Sequence, residues 1–251
     1  MTKKYKNGFT LIEISIILVI LGLIVGGVLV GKDLIRNAKI HQVISDINQF
    51  NTAINTFQEK FDFLPGDMPN AYEYFDSSGT NTICGSNNAD LAGCNGNGNG
   101  IIEGVSSTYG EYIRALLHLS LANIIPQQNY VFAITRRNRS DVENAPFNTI
   151  AMPTQLKNVG IAFTVINTSE NYFAIGKYIS LSEPKLRGSF LSSTEAYSVD
   201  TKTDDAQPDT GKIRGRNGDG MTTDCINSGI NPSSYNISSK TISCYLTVQI
   251  N

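Results

Sequence analysis

Glu13 is the only charged residue in the apolar run Phe9–Gly31. A charge near the middle of a membrane costs about 2.5–3.5 kcal/mol on insertion scales, so it needs a partner. Gly8 stands at the junction between that run and a basic leader, Met1–Gly8, which carries Lys3, Lys4 and Lys6. A cut after Gly8 would free the α-amine of Phe9, whose unperturbed pKa of about 8 keeps it largely protonated at neutral pH. Within one helix the amine and Glu13 lie about one turn apart. Between staggered neighbouring helices the two groups could pair directly and fix the axial step of a polymer.

Four cysteines form two local pairs, Cys84 with Cys94 and Cys225 with Cys244. Four cysteines allow three connectivities. Nearest-neighbour pairing is expected, because it closes two short loops where little regular structure is foreseen. Neither pair has C-x-x-C spacing and both histidines lie far from them, which argues against a metal centre. Two disulfides imply an oxidising compartment.

Asn95–Ile101 reads N-G-N-G-N-G-I, with the alternating ligand positions and sixth-position glycine of a calcium loop. Its ligand positions are neutral amides and its twelfth position is Ser106, so a flexible turn is the favoured reading. Asp200, Asp204, Asp205 and Asp209 form a better-charged cluster, read as a capped, solvated turn with calcium as the alternative. Asn217–Gly220 is read as a similar turn. His41 falls on the polar side of a helix, and His118 is expected to be a partly buried structural histidine. No nucleophile elbow and no phosphate-binding loop occurs, which argues against an enzyme. The net charge is -2 and the one small basic group is Arg136-Arg137-Asn138-Arg139, so no nucleic-acid partner is expected.

The elements that must position these groups follow from patterning. Phe9–Gly31 is about 23 residues long, enough to span a bilayer as a helix. It is too long for the apolar core of a secretory signal, and no A-x-A-like site follows it. No cysteine precedes Cys84, which excludes a lipoprotein signal. A simple signal anchor is the remaining alternative. Beyond Gly31, Val43, Ile47, Phe50, Ile54, Phe57 and Phe61 recur at steps of four and three, one buried face of a continuing helix. Asp46, Gln49, Gln58 and Glu59 are assigned to its other sides. From Phe9 to Phe61 such a helix would run roughly 80 Å at 1.5 Å per residue, ending at Leu64-Pro65-Gly66-Asp67.

Ala71–Ser107 reads as a surface loop. Thr108-x-x-Glu111 reads as a capping box opening a helix to about Ile125, with Ile113, Leu116, Leu117 and Leu121 inward. Strands are expected at Val131–Thr135, Ile161–Asn167, Tyr172–Tyr178 and Ile242–Ile250. Ser192-x-x-Glu195 should open a short helix to about Lys202. The fold class is α+β: a long N-terminal helix, half membrane and half amphipathic, packed on a small antiparallel β-sheet head with disulfide-stapled loops. The expected divisions are a leader 1–8, a transmembrane or filament-core helix 9–31, and a globular head 32–251 that includes the amphipathic helix 32–61.

G-F-T-L-I-E-I at Gly8–Ile14 resembles the leader of type IV prepilins and type II secretion pseudopilins. The resemblance implies that a prepilin peptidase cuts after Gly8 and methylates Phe9, and that Glu13 is the glutamate of assembly. It also implies self-association into a filament, an inner-membrane assembly platform, and inner-membrane lipid around the helix before assembly. The N-terminus would be cytoplasmic and the head periplasmic, then part of a periplasmic or surface filament. The lysines of the leader agree with that orientation, although Lys32, Arg36 and Lys39 lie on the other side; the cysteines decide it. Gly22, Gly26, Gly27 and Gly31 have a spacing that suits close helix packing in membranes. The resemblance also implies partial melting of this region, but it lacks the proline common in pilins. Major pseudopilins hold calcium in a late head loop, which bears on the aspartate cluster. His118–Ala122, and Asp200–Asp205 with Pro208–Gly211, resemble segments of alphaproteobacterial prepilin-like proteins. The alternative within the same architecture is a minor pilin displaying a tip adhesin or a DNA- or calcium-binding module.

Overall fold

A computed structural model of the chain describes residues 10–75, 94–103, 110–126, 151–166, 169–179, 185–219, 224–227 and 233–250. Gly8, Phe9, Cys84, Ser106, Thr108, the strand expected at Val131–Thr135 and the Arg136–Arg139 group lie outside them. The chain divides into two compact units, Met1–His41 and Gln42–Asn251.

Helix α1 covers Leu11–Phe61 without a break. In its first part the large apolar residues from Leu11 to Ile35 are exposed, Leu11 at 88%. In its second part Val43, Ile47, Phe50, Ile54 and Phe57 are buried, as the four-and-three spacing requires. Phe50 packs on Phe163 and Phe173, with ring centroids at 5.3 and 4.9 Å. Asp46 corrects one assignment, for it is buried rather than on a polar side. It follows Val43 by three residues and precedes Phe50 by four, so the helical period puts it on the apolar face. Gln42 donates to its Oδ1 at 2.9 Å, Oδ2 has no hydrogen-bond partner among the described residues, and desolvation raises its pKa. The helix stops where Asp62 turns left-handed, at φ 61°.

The head is built on an antiparallel sheet. Strands β1 (Met152–Pro153), β2 (Val159–Thr164), β3 (Tyr172–Ile179), β4 (Lys185–Gly188), β5 (Leu191–Ser192), β6 (Ile213–Asn217) and β9 (Ile242–Gln249) make one sheet. Strands β7 (Ile226–Asn227) and β8 (Ser234–Tyr235) pair separately. The centre is β3 beside β9, with Phe173 opposite Val248 and Ile175 opposite Leu246. Both strands alternate few polar residues and are buried along most of their length. β3 and β9 match the sequence expectation within one residue, while β2 starts two residues before the expected Ile161 and ends at Thr164. The pieces of two to five residues do not appear in that expectation, because so short a run has no readable period.

Among the described residues three helices complete the head: α2 (Ala71–Phe75), α3 (Glu111–Leu121) and α4 (Ser193–Thr203). α2 corrects the reading of Ala71 onward as loop; Phe75 contacts Phe57 and Phe61. α4 carries the expected capping box, with Ser192 and Glu195 bonded reciprocally. α3 does not use one. Its N-cap is Gly110, and the Glu111 carboxylate accepts instead from the backbone N–H of Asn97 and Glu103. α3 ends at Leu121, short of Ile125, where Asn123 adopts φ 56°.

Cys225 and Cys244 form the expected disulfide. Cys94 is also disulfide-bonded.

Candidate functional site

The N-terminal chemistry is set by the first turn of α1. Thr10 precedes the helix, and its backbone N–H and hydroxyl both donate to Glu13 Oε2, at 2.8 and 2.7 Å. The Glu13 N–H donates back to Thr10 Oγ1 at 3.4 Å. This is a capping box, which satisfies otherwise orphaned donors at the helix start. The sequence reading missed Thr10, although T-x-x-E ahead of an apolar run is its signature. Glu13 therefore has a partner within its own chain. The acceptor capacity of its second oxygen remains for another group.

Behind this cap stands the exposed apolar helix. It is long and apolar enough to cross a membrane, and none of its most apolar window is buried within the chain. A Cβ added at Gly22, Gly26, Gly27 or Gly31 would meet nothing within 4 Å. Nothing among the described residues therefore explains four glycines that each cost a helix about 1 kcal/mol. Their use, like the apolar surface, points to something outside the chain.

The aspartate cluster divides. Asp200, Asp204 and Asp205 each turn a carboxylate oxygen to within 4.8 Å of the others. Asp209 instead faces Arg216, with N to O at 3.7 Å. The turn is capped, as expected, but not wholly solvated: Asp200 is fully buried. It accepts from Tyr235 OH at 2.7 Å and from Ala206 N–H at 3.0 Å. Asp204 accepts from Ile213 N–H, and Asp205 from Gln207 N–H and the Thr210 hydroxyl. Desolvation raises the Asp200 pKa to about 6, with Asp205 and Asp204 adding repulsion. Gly215 permits the Tyr235 contact, since a Cβ there would stand 2.4 Å from the Tyr235 ring. No sequence signal joined Gly215, Tyr235 and Asp200, which meet only through β6, β8 and α4.

The Asn95–Ile101 segment is a turn, but a pinned one. Asp67, nearly wholly buried, accepts from the N–H groups of Gly98, Asn99 and Gly100 at 2.8, 3.1 and 2.8 Å. Asn171 ties the far end through Gly100 O and Ile102 N–H. His118 is fully rather than partly buried. Its Nδ1 accepts from Gly66 N–H at 2.9 Å, so Nε2–H donates to Cys94 O at 2.8 Å. Burial pushes its pKa down to about 4. His118 is thus a neutral staple holding two loops to α3. His41 is exposed, as expected.

The described residues define a single long helix with an uncovered apolar half, and a β-sheet head stapled by disulfides. Residues 3–29 match the family model of the prokaryotic N-terminal methylation motif. That motif is the signature of type IV pilins and pseudopilins, and it supports a pilin-like structural subunit. The searches of curated proteins and of solved structures found no match.

Proposed function

We propose that this chain is a prepilin, cut after Gly8, methylated on Phe9 and polymerised through α1 as a structural subunit. The filament is a type IV pilus or a type II secretion pseudopilus. The single observation that carries this reading is the coincidence of the methylation motif at residues 3–29 with an apolar helix that the chain itself leaves uncovered. Before assembly the helix lies in the inner membrane, with the head in the periplasm and the leader open to prepilin peptidase. At the assembly platform, the free oxygen of Glu13 meets the Phe9 amine of a neighbouring subunit. The charge pair offsets the cost of a lone carboxylate in lipid, and the apolar helices then cover one another. No catalytic step is assigned to the chain.

The decisive variant is Glu13→Ala. Its intact mass should show the same cleavage as the wild type, while sheared filament yield falls at least about tenfold, the effect of losing roughly 1.4 kcal/mol per subunit contact. Normal filament yield from this variant would refute the role of Glu13. An uncut N-terminus in the wild-type protein would refute maturation.

The convergence of Asp200, Asp204 and Asp205 favours a second reading, a minor pilin whose head displays a calcium site. Their spacing suits a cation held by oxygens at about 2.4 Å. Calcium would there cross-link the end of α4 to the loop before β6. A head whose melting temperature is unchanged by millimolar calcium rejects this reading and leaves the hydrogen-bonded turn.

A further inference from the structure

Four Asn-Gly pairs lie among the described residues, at Asn95, Asn97, Asn99 and Asn217. Such pairs can convert themselves, the glycine nitrogen attacking the asparagine side-chain carbonyl to form a succinimide. That step needs three aids: an acceptor for the proton on the nitrogen, a donor for the oxyanion, and a group that stabilises ammonia as it leaves.

At Asn97 all three are present. The Gly98 N–H is shared between Asp67 Oδ1 at 2.8 Å and the Asp67 backbone oxygen at 2.9 Å. The side-chain oxygen of Asn97 accepts from Asn99 N–H at 3.0 Å, and its Nδ2 donates to Glu103 Oε2 at 3.0 Å. Asn99 repeats the arrangement one step on. The Gly100 N–H donates to Asp67 Oδ2 at 2.8 Å, Ile101 N–H to the Asn99 side-chain oxygen at 2.8 Å, and Asn99 Nδ2 to Glu103 Oε1 at 3.3 Å. Both asparagines and both glycines are exposed, so water reaches them. At the other two pairs the glycine N–H meets no side-chain carboxylate among the described residues. Gly96 N–H donates to the backbone oxygen of Met68, and Gly218 N–H to that of Ser243. The Asn95 and Asn217 side-chain oxygens serve as acceptors for Tyr72, and for Cys225 and Ile226.

We infer that Asn97 and Asn99 form a self-modifying site, deamidated within the folded head with Asp67 as the base and Glu103 as the carboxylate that holds the leaving ammonium. The Gly98 nitrogen forms a bond to Cγ of Asn97 and gives its proton to Asp67. The proton passes through solvent to Nδ2, which becomes an ammonium held by the Glu103 carboxylate. The Cγ–Nδ2 bond then breaks, ammonia leaves and the succinimide remains. Water opens it at either carbonyl, giving aspartate or isoaspartate. The net change is one water consumed and one ammonia released, with no oxidant or reductant. Asn99 and Gly100 react in the same way. Each event replaces a donor to Glu103 with a like charge, which loosens this corner of the head.

The test is peptide mapping by mass spectrometry of the full-length protein in detergent micelles, aged at neutral pH. Asn97 and Asn99 should convert at least about tenfold faster than Asn95 and Asn217, a modest part of the roughly hundredfold that a positioned acid or base supplies at the low end. Glu103→Gln keeps the side chain's size and should slow both sites several-fold at an unchanged melting temperature. Conversion at Asn97 and Asn99 no faster than at Asn95 and Asn217 would overturn the inference. So would rates that Glu103→Gln leaves unaltered in a folded protein. If the variant does not fold, the comparison among the four wild-type sites decides alone.

Discussion

The two parts of α1 follow opposite rules within one helix. From Leu11 to Ile35 its large apolar residues are exposed, and four glycines have no neighbour to accommodate. From Val43 to Phe57 the apolar residues recur on one face and are buried, Phe50 against the sheet and Phe57 against α2 and α3. Apolar content alone therefore does not say what a helix packs on. A run that is apolar on every side finds no matching face among the described residues of its own chain. A run that is apolar on one side has already been matched by the head.

Substitution should separate the two parts. Phe50→Ala removes a ring that contacts Phe163 and Phe173, and should cost the head about 3–5 kcal/mol. Ile24→Ala, in the exposed part, should change head stability by less than about 0.5 kcal/mol. Chemical denaturation of the detergent-solubilised protein, followed by the near-ultraviolet signal of the head, measures both. Equal losses would erase the distinction.

A second difference lies in how the head handles its own ionisable groups, and acid should expose it. Burial depresses the folded pKa of His118 from 6.5 to about 4. As pH falls through that window the unfolded chain takes up a proton that the folded chain refuses, so stability is lost. Desolvation, with repulsion from Asp205 and Asp204, raises the folded pKa of Asp200 from 3.8 to about 6. The sign is reversed, for the folded chain holds the proton longer and stability is lost as pH rises through 6. The two groups oppose each other between about pH 4 and 6. Asp200→Asn removes one of them, so its melting temperature should climb with pH more steeply than that of the wild type. The divergence should be several degrees, since about 1 kcal/mol moves a domain of this size by roughly 2–4 °C. Parallel curves would mean that Asp200 does not titrate there.

The smallest effect sharpens the reading of the cap. Thr10→Ala removes a capping hydroxyl, worth about 1 kcal/mol in typical helices, while Thr10→Ser restores it. If the capping box orients Glu13 for its neighbour, filament yield should fall several-fold in the first variant and recover in the second, with cleavage unchanged in both. Equal yields in the two variants would reduce the box to a feature of the isolated chain.

Regular elements were legible where a period could be read. The seam from Val43 to Phe57 followed from steps of four and three, and Ser192-x-x-Glu195 marked the start of α4. Tyr172–Tyr178 and Ile242–Ile250 showed as strands because their β-branched and aromatic residues run long enough to be told from loop. The same rules, applied more fully, would have reached Thr10 as a cap and Asp46 as a residue of the buried face. The capping pattern at Thr108–Glu111 misled because Glu111 had a stronger use: its carboxylate accepts backbone donors at Asn97 and Glu103. Sequence spacing does not reveal such competition.

What the sequence determined by itself is local: an uninterrupted helix, its apolar first half, the single charge within it, and the motif at residues 3–29. Each depends on residues a few positions apart, where helix geometry and side-chain hydropathy decide the outcome. Tertiary structure alone decided that Asp67 and Asp200 are buried and what they hold. Asp67 reaches the loop at Gly98–Gly100, and Asp200 reaches Tyr235, across 35 positions of chain. Both exist only because packing removes water from a carboxylate, and a desolvated carboxylate must be met by whichever donors the fold brings to it.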